Sequence, residues 1–316
     1  MELQPSNDTF SFTLQIATFD VSPEAIYPVF VTGTLIYLFA VFCNVTILAL
    51  IVTQQSLHKP MFYILFSLPL ADLIGITCAF PRVLVDVVTQ TSVVYYPTCV
   101  LQAFLLHMYG GSVLFILAAM SFDRYIAICK PLRYNSIMNP YTVSSVITLA
   151  WGLDFVMIVV LFALQARFPK CKTFIVNVYC DNVSLLQLSC GGDFTVNNIY
   201  GLGITGFMQG ISLIIQLFSY VQILRVCLHH TQTDARIKAV NTCLPQVISF
   251  ILHELVSSIA ILSYRFQNVH PNTRKICGML IFTFLPVVNP ILYGAKTKEI
   301  RKAFLIVLKK QKVMFT

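Results

Sequence analysis

Tyr27 to Thr53 reads YPVFVTGTLIYLFAVFCNVTILALIVT, a run without a single Asp, Glu, Lys or Arg. A helix needs about 20 apolar residues to cross the hydrocarbon core of a bilayer. Six more stretches qualify, at approximately 60–85, 99–122, 141–165, 198–224, 239–264 and 275–294. The fifth and seventh, like the first, carry no charge across their cores. In lipid only helices or closed barrels satisfy the backbone. Barrel strands are about 10 residues long and alternate in polarity, and these runs do neither. The expected fold is therefore an all-α integral membrane protein. It comprises an N-terminal tail (1–26), a seven-transmembrane-helix bundle (27–294) and a short amphipathic helix with a tail (295–316).

Composition agrees. The chain is 316 residues long, 57% hydrophobic and 11% charged, with a mean hydropathy of +0.78. Soluble domains carry about 25% charged residues. The net charge of +8 would suggest nucleic acid in a soluble protein. Here the basic residues fall mostly in short loops and the tail, so no nucleic-acid partner is expected and the charge reads as membrane orientation. The first twenty residues hold no Lys or Arg and no leader-like apolar run, so the first span is expected to direct insertion.

Seven spans put the termini on opposite sides. The N-terminal tail has Glu2, Asp8, Asp20 and Glu24 and no basic residue. Fourteen basic residues fall in the connections on the other side: Lys59; Arg124, Lys130 and Arg133; Arg225, Arg236 and Lys238; and seven in the tail, from Lys296 to Lys312. The opposite loops have six (Arg167, Lys170, Lys172, Arg265, Arg274, Lys275), plus Arg82 near a helix end. The positive-inside rule predicts a plasma-membrane protein with an extracellular N-terminus and a cytoplasmic C-terminus. Ile300, Phe304, Leu305 and Leu308 recur at helical spacing between lysines, which predicts an amphipathic helix lying on membrane lipid at the inner leaflet.

Cys99, Cys171, Cys180 and Cys190 fall on the expected oxidising outer side. Four cysteines allow three pairings, and spacing does not choose among them. Cys43, Cys78, Cys129, Cys227, Cys243 and Cys277 lie in spans or inside and read as free thiols. Asn7-Asp8-Thr9 offers a glycosylation acceptor in the outer tail. Asn182-Val183-Ser184 is wedged between cysteines, and Asn44-Val45-Thr46 lies inside the first span, where Asn44 reads as an intramembrane polar contact.

An ionisable side chain at the bilayer centre costs about 2.5–3.5 kcal/mol on insertion scales, so each is a functional candidate. Asp72 reads either as a structural carboxylate, paired with Asn44 or Asn289, or as a sodium ligand. Asp154 reads as a contact to a neighbouring helix. His107 lies near the start of the third span. His253 and Glu254 are adjacent in the sixth, about 100° apart on a helix, so both cannot fully face the axis. Glu254 is taken as the cavity candidate.

The third span ends in MSFDRYIAICKPLRY, Met120 to Tyr134. This resembles the odorant-receptor signature M-A-Y-D-R-Y-V-A-I-C followed by P-L-x-Y. Asp123-Arg124-Tyr125 alone would indicate only the broad rhodopsin-like G-protein-coupled class; Ala127-Ile128-Cys129 and Pro131-Leu132 narrow it. Leu57-His58-Lys59-Pro60-Met61-Phe62-Tyr63 resembles the family's L-H-x-P-M-Y, with Asp72 in the family place. Ser219-Tyr220, Lys238-Ala239-Val240-Asn241-Thr242-Cys243 and Pro286-Val287-Val288-Asn289-Pro290-Ile291-Leu292-Tyr293 resemble the family motifs of the fifth, sixth and seventh helices. The resemblance covers nearly the whole chain. It departs in three places. Gln246, beside Pro245, replaces a histidine; Val113 stands where an acidic residue is frequent; and Glu254 replaces an aromatic.

The resemblance implies an odorant receptor, not an enzyme, with no cofactor or metal. Its partners would be a small odorant and a heterotrimeric G protein of the stimulatory olfactory type. It implies Cys99–Cys180 and Cys171–Cys190 bonds. It assigns the coupling switch to Asp123, Arg124, Tyr125, Tyr220, Asn289 and Tyr293, with the sixth helix swinging outward on activation. The ligand pocket is expected in the outer half, at His107, Gly110, Gly111, Ile204, Thr205, Met208, Glu254, Ser258, Ile261 and Met279. Gly110-Gly111 either opens space or permits close helix packing. An acid and an imidazole in an apolar cavity suggest a polar or basic ligand head. The alternatives are a non-olfactory rhodopsin-like chemoreceptor and a transporter. A transporter would need paired intramembrane charges or broken helices along a pathway, often with internal repeats; no repeat is seen, the chemistry-bearing residues cluster at the two faces, and the seventh span has no lysine for a retinal Schiff base.

Overall fold

The computed structural model describes residues 12–229, 233–265 and 269–314, without the side chains of 229, 233–242, 264–265 and 310–314. Asn7, the charges Glu2, Asp8, Arg236, Arg265, Lys310 and Lys312, and the motif side chains from Lys238 to Thr242 lie outside these described residues. Eight long helices follow in order: α1 Pro23–Thr53, α2 Pro60–Thr89, α3 Tyr96–Cys129, α4 Pro140–Ala166, α5 Thr195–His229, α6 Thr233–Arg265, α7 Pro271–Lys296 and α8 Lys298–Met314. The first seven are long and apolar enough to cross a membrane, although within α6 that property is confined to Cys243–Ser263.

Proline starts α1, α2, α3, α4 and α7 at N1 or N2. Its missing N–H is no loss there and its fixed φ suits the first turn. Asn139 caps α4, its side chain accepting from the Thr142 amide at 2.9 Å. The helices run past the apolar runs at many ends, because hydrogen bonding continues after hydrophobicity stops. α3 is the most enclosed; α1, α4 and α5 present broad apolar faces such as Leu35, Phe42, Leu149, Ile214 and Leu217. Such faces suit a protein whose solvent is lipid.

A lid closes one end of the bundle. β1 (Thr13–Ile16) pairs antiparallel with β2 (Val93–Tyr95) and parallel with β3 (Phe174–Ile175). Leu14 and Ile16 are buried beneath this sheet. Sequence reading gave this segment only as part of a tail. The Cys99–Cys180 disulfide ties the long loop to α3, and Cys171–Cys190 closes the loop on itself. Gln102 adds to the attachment, accepting from the Cys180 amide at 2.9 Å and donating to the Cys78 carbonyl of α2 at 2.7 Å. Asn182 is buried, its Nδ2 bonded to Asn197 Oδ1 at 3.0 Å, a poor setting for a glycan.

Lys170 is half-buried in this loop and donates to Ser189 Oγ at 2.8 Å. Burial pushes its ammonium down from 10.5 to about 8. Between those values the unfolded chain holds a proton that the folded loop has released, so stability rises with pH across that interval. We expect the thermal midpoint of the wild type, relative to Lys170→Met, to be level below pH 8 and to climb from there toward pH 10. A pH-independent difference in thermal melts would refute this.

Candidate functional site

Two polar assemblies lie in the bundle interior. The first assembly is built on Asp72, which is fully buried. Asn289 Nδ2 donates to both its oxygens, at 3.2 and 3.0 Å, and the Tyr109 hydroxyl lies 3.4 Å from Oδ1. Tyr109 also donates to the Ile281 carbonyl at 3.1 Å. Its ring reaches this place because Gly75 has no side chain: a Cβ there would lie 2.7 Å from the ring. Ser249 of α6 donates to Asn289 Oδ1 at 2.6 Å. Asn44 does not join Asp72. Its Nδ2 donates to the Pro286 and Ala40 carbonyls at 2.8 and 2.9 Å. Asn44, Asp72 and Asn289 thus do not converge on one point; the Asn289 amide donates to the Asp72 carboxylate, and the single O–H of Tyr109 is shared between Asp72 and the Ile281 carbonyl. Among the described residues no group of three or more His, Cys, Asp or Glu could hold a metal ion.

The second assembly sits at the end away from the lid. Arg124 donates to Asp123 Oδ2 at 2.8 Å, and the Tyr134 hydroxyl to Oδ1 at 2.8 Å. Burial and the adjacent carboxylate hold the Tyr134 phenol above its ordinary value. Tyr125 packs edge-on against Phe218 of α5 at 5.3 Å, with the Lys130 ammonium 5.5 Å from its ring. The Tyr220 hydroxyl and Arg124 Nε are buried without hydrogen-bond partners, and the Tyr293 hydroxyl lies by Ser249. Gln246 of α6 donates to the Leu117 carbonyl of α3 at 2.8 Å.

The expected ligand residues divide. Ile204 and Met208 are buried in one cluster with Leu114, Met157 and Phe162. Met279 belongs to another, with Tyr109, Tyr179 and Phe282. Tyr179 comes from the lid loop, its ring 5.4 Å from Phe282. Thr205 is half-buried and returns its hydroxyl to the Gly201 carbonyl. His107 bonds the Ala103 carbonyl at 2.8 Å and sets its ring edge-on to Phe162 at 5.6 Å. Ser258 and Ile261 are exposed, in line with Leu255, Ile259 and Leu262. The inward positions of α6 are instead His253, Val256 and Ser257. Ser257, Gln102 and Tyr109 escaped the sequence reading, and the one signal for them was polarity inside an apolar run.

The glycine pair also divides. A Cβ on Gly111 would clash with the Asp154 carboxylate and lie 2.8 Å from Met208 Sδ, so it is a close-packing site. A Cβ on Gly110 would meet nothing within 4 Å. We expect Gly111→Ala to cost about 1–3 kcal/mol of stability, as overpacking does, and Gly110→Ala to cost little. Thermal melts of the two purified variants check this; equal midpoints would contradict it.

Seven membrane helices, a disulfide-tied lid and an Asp-Arg-Tyr assembly at the opposite end define a rhodopsin-like receptor. The olfactory receptor family model matches residues 33–311. Human olfactory receptor 52J3 is 34% identical over 278 residues, covering 87% of this chain and 89% of that protein. Human olfactory receptor 52N2 is 34% identical over 285 residues, covering 89% and 88%. The chain belongs to the olfactory receptor family. It is accordingly a multi-pass, G-protein-coupled odorant receptor and not an enzyme.

Proposed function

We propose that an odorant entering the half of the bundle under the lid biases α6 between two positions, and that its outward position admits a stimulatory, olfactory-type G protein at the Arg124 end. The lid faces the exterior and the Arg124 end the cytosol in this reading. Residues 1–26 form the outer tail, with a glycan on Asn7. Residues 27–294 form the bundle, and 295–316 lie along the inner leaflet. The basic residues of the connections support that orientation. Asp72 serves as a structural carboxylate joining α2, α3 and α7.

The observation that carries this reading is the set of unpaired groups at Arg124. A buried polar group without a partner costs about 1–3 kcal/mol. The Tyr220 hydroxyl and Arg124 Nε carry that cost on two helices, α5 and α3. Parting α6 from α3 supplies partners, from water or from an inserted helix, and so offsets the broken Gln246–Leu117 bond. The two states then differ by a small free energy, and a ligand shifts them by its differential affinity.

The experiment is nucleotide exchange on a stimulatory α subunit with receptor reconstituted in membranes. We expect Arg124→Ala to abolish stimulated exchange. Gln246→Leu, which frees α6 of about 1 kcal/mol, should raise basal exchange about fivefold. Unchanged basal exchange in Gln246→Leu, at equal receptor density, would contradict the role given to α6. Terminal tags on the same membrane face would overturn the orientation.

A further inference from the structure

Several side chains at mid-bundle find no partner in the fold. His253 Nδ1, Glu254 Oε1 and Ser257 Oγ are buried on α6 without a hydrogen bond, and the Asp154 carboxylate of α4 lies against the α3 backbone at Gly111 and Ser112. His253 is 2% and Ser257 6% exposed. Their heights can be read from the tied residues. α6 and α3 are antiparallel, and Gln246–Leu117 fixes their register. Seven residues along α6 and seven back along α3 each rise about 10 Å toward the lid, so His253 comes level with Gly110. Met208 and Asp154, which crowd Gly111, share that level.

The directions follow in the same way. Ser249, bonded to Asn289, marks the flank of α6 that faces α7. Gln246 marks the flank that faces α3. At about 100° per residue, His253 falls between these two flanks. Ser257 lies just past Gln246, and Glu254 lies further round toward α5. α6 packs extensively along α7 but touches α5 at few points. The unpaired groups therefore border the α3–α5–α6 gap that Gly110 leaves open.

Their chemistry is one-sided. An ionised carboxylate only accepts; a neutral imidazole and a hydroxyl can each accept as well. There is no Lys or Arg in α4, in α5 before Arg225, or in α6 between Cys243 and Ser263. Arg124 lies about two turns further along α3 than Leu117, toward the other end. Acceptors of this kind suit a donor-rich cation.

We propose that Glu254, His253 and Ser257 form a subsite for the ammonium head of a small primary amine, with its apolar tail in the space over Gly110. Glu254 supplies the counter-charge, and His253 and Ser257 accept N–H bonds. The assignment rests on the ligand pocket proposed above and specifies its ligand class.

The test compares hexylamine, hexan-1-ol and hexanoic acid on the full-length receptor, by thermal shift and by nucleotide exchange. In the wild type the amine should bind most tightly and the acid least. Glu254→Gln should raise the half-saturating amine concentration about ten- to hundredfold, as loss of a charge-assisted bond does, and leave the alcohol unchanged. Glu254→Asp should recover part of the amine response. Ser257→Ala should weaken the amine several-fold, a second variant should Glu254→Gln fail to fold. Tightest binding of the acid, no amine shift up to millimolar concentration, or equal loss for amine and alcohol in Glu254→Gln would each overturn the ammonium assignment. Gly110→Leu separates this from failure of the pocket. It should abolish all responses if ligands bind there, and retention of every response in that variant would overturn the pocket itself.

Discussion

A backbone carbonyl deprived of its helical donor has no water to turn to in hydrocarbon. Pro290 has no N–H, so the Pro286 carbonyl four residues earlier loses its bond. Asn44, from α1, supplies the replacement at 2.8 Å. The polar network around it has a related logic. Tyr109 gives its hydroxyl to Ile281, one turn before Pro286, and reaches toward Asp72. Asn289, next to Pro290, bonds Asp72 and receives from Ser249. Pro290 thus creates a need that α1 meets, and the bonds to Ile281 and Asn289 on either side bring in α2, α3 and α6, so that five helices are joined. Apolar contact alone would not select this arrangement, since lipid tails are as apolar as the helices.

This sets apart the places where polar atoms go unpaired. At the lid, Gln102 and Lys170 find partners, as does the Asp181 carboxylate, which accepts from Asn177 and the Ser184 amide. Around Asp72 the bonds form a continuous chain. Some unpaired atoms remain at the lid (Asn182 Oδ1, Gln165 Nε2) and in Asn44 Oδ1, but two further groups gather at the Gly110 level and around Arg124. Both regions lie against α6, whose side chains bond α3 and α7 at Gln246 and Ser249, between the two. A helix tied near its middle and unsatisfied on either side is suited to occupy two positions.

The membrane makes much of this legible in sequence. Length and charge density locate the seven helices because a bilayer tolerates little else. The run through Asp123-Arg124-Tyr125 to Pro131-Leu132 adds the family. Thr13–Ile16 was not legible as a strand, since its partners lie some 80 and 160 residues away and pairing leaves no local mark. The direction in which the candidate ligand residues face was not legible. Ile204, Met208 and Met279 are buried, whereas Ser258 and Ile261 face outward. Rotation of a helix about its axis depends on its neighbours, and for α6 those are set by Gln246 and Ser249, whose partners the sequence does not announce. Nor could spacing show that Gly111 is filled by Asp154 while the adjacent Gly110 is open.

The position of Gln246 bears on how a ligand would be felt at the far end. It stands about two turns, or roughly 10 Å, from His253 along a continuous helix, despite Pro245 beside it. A molecule bridging α6 and α3 at the Gly110 level acts on the same helix pair that the Gln246 amide holds. If it draws the two together, the tie is reinforced and the groups around Arg124 stay unpaired. If it seats better with α6 turned, it works against a single hydrogen bond worth about 1 kcal/mol. An opposing interaction that small means modest differential affinity is enough to move the equilibrium. The sign of the response then depends on how the ligand fits between α3 and α6, and not on how tightly it is held.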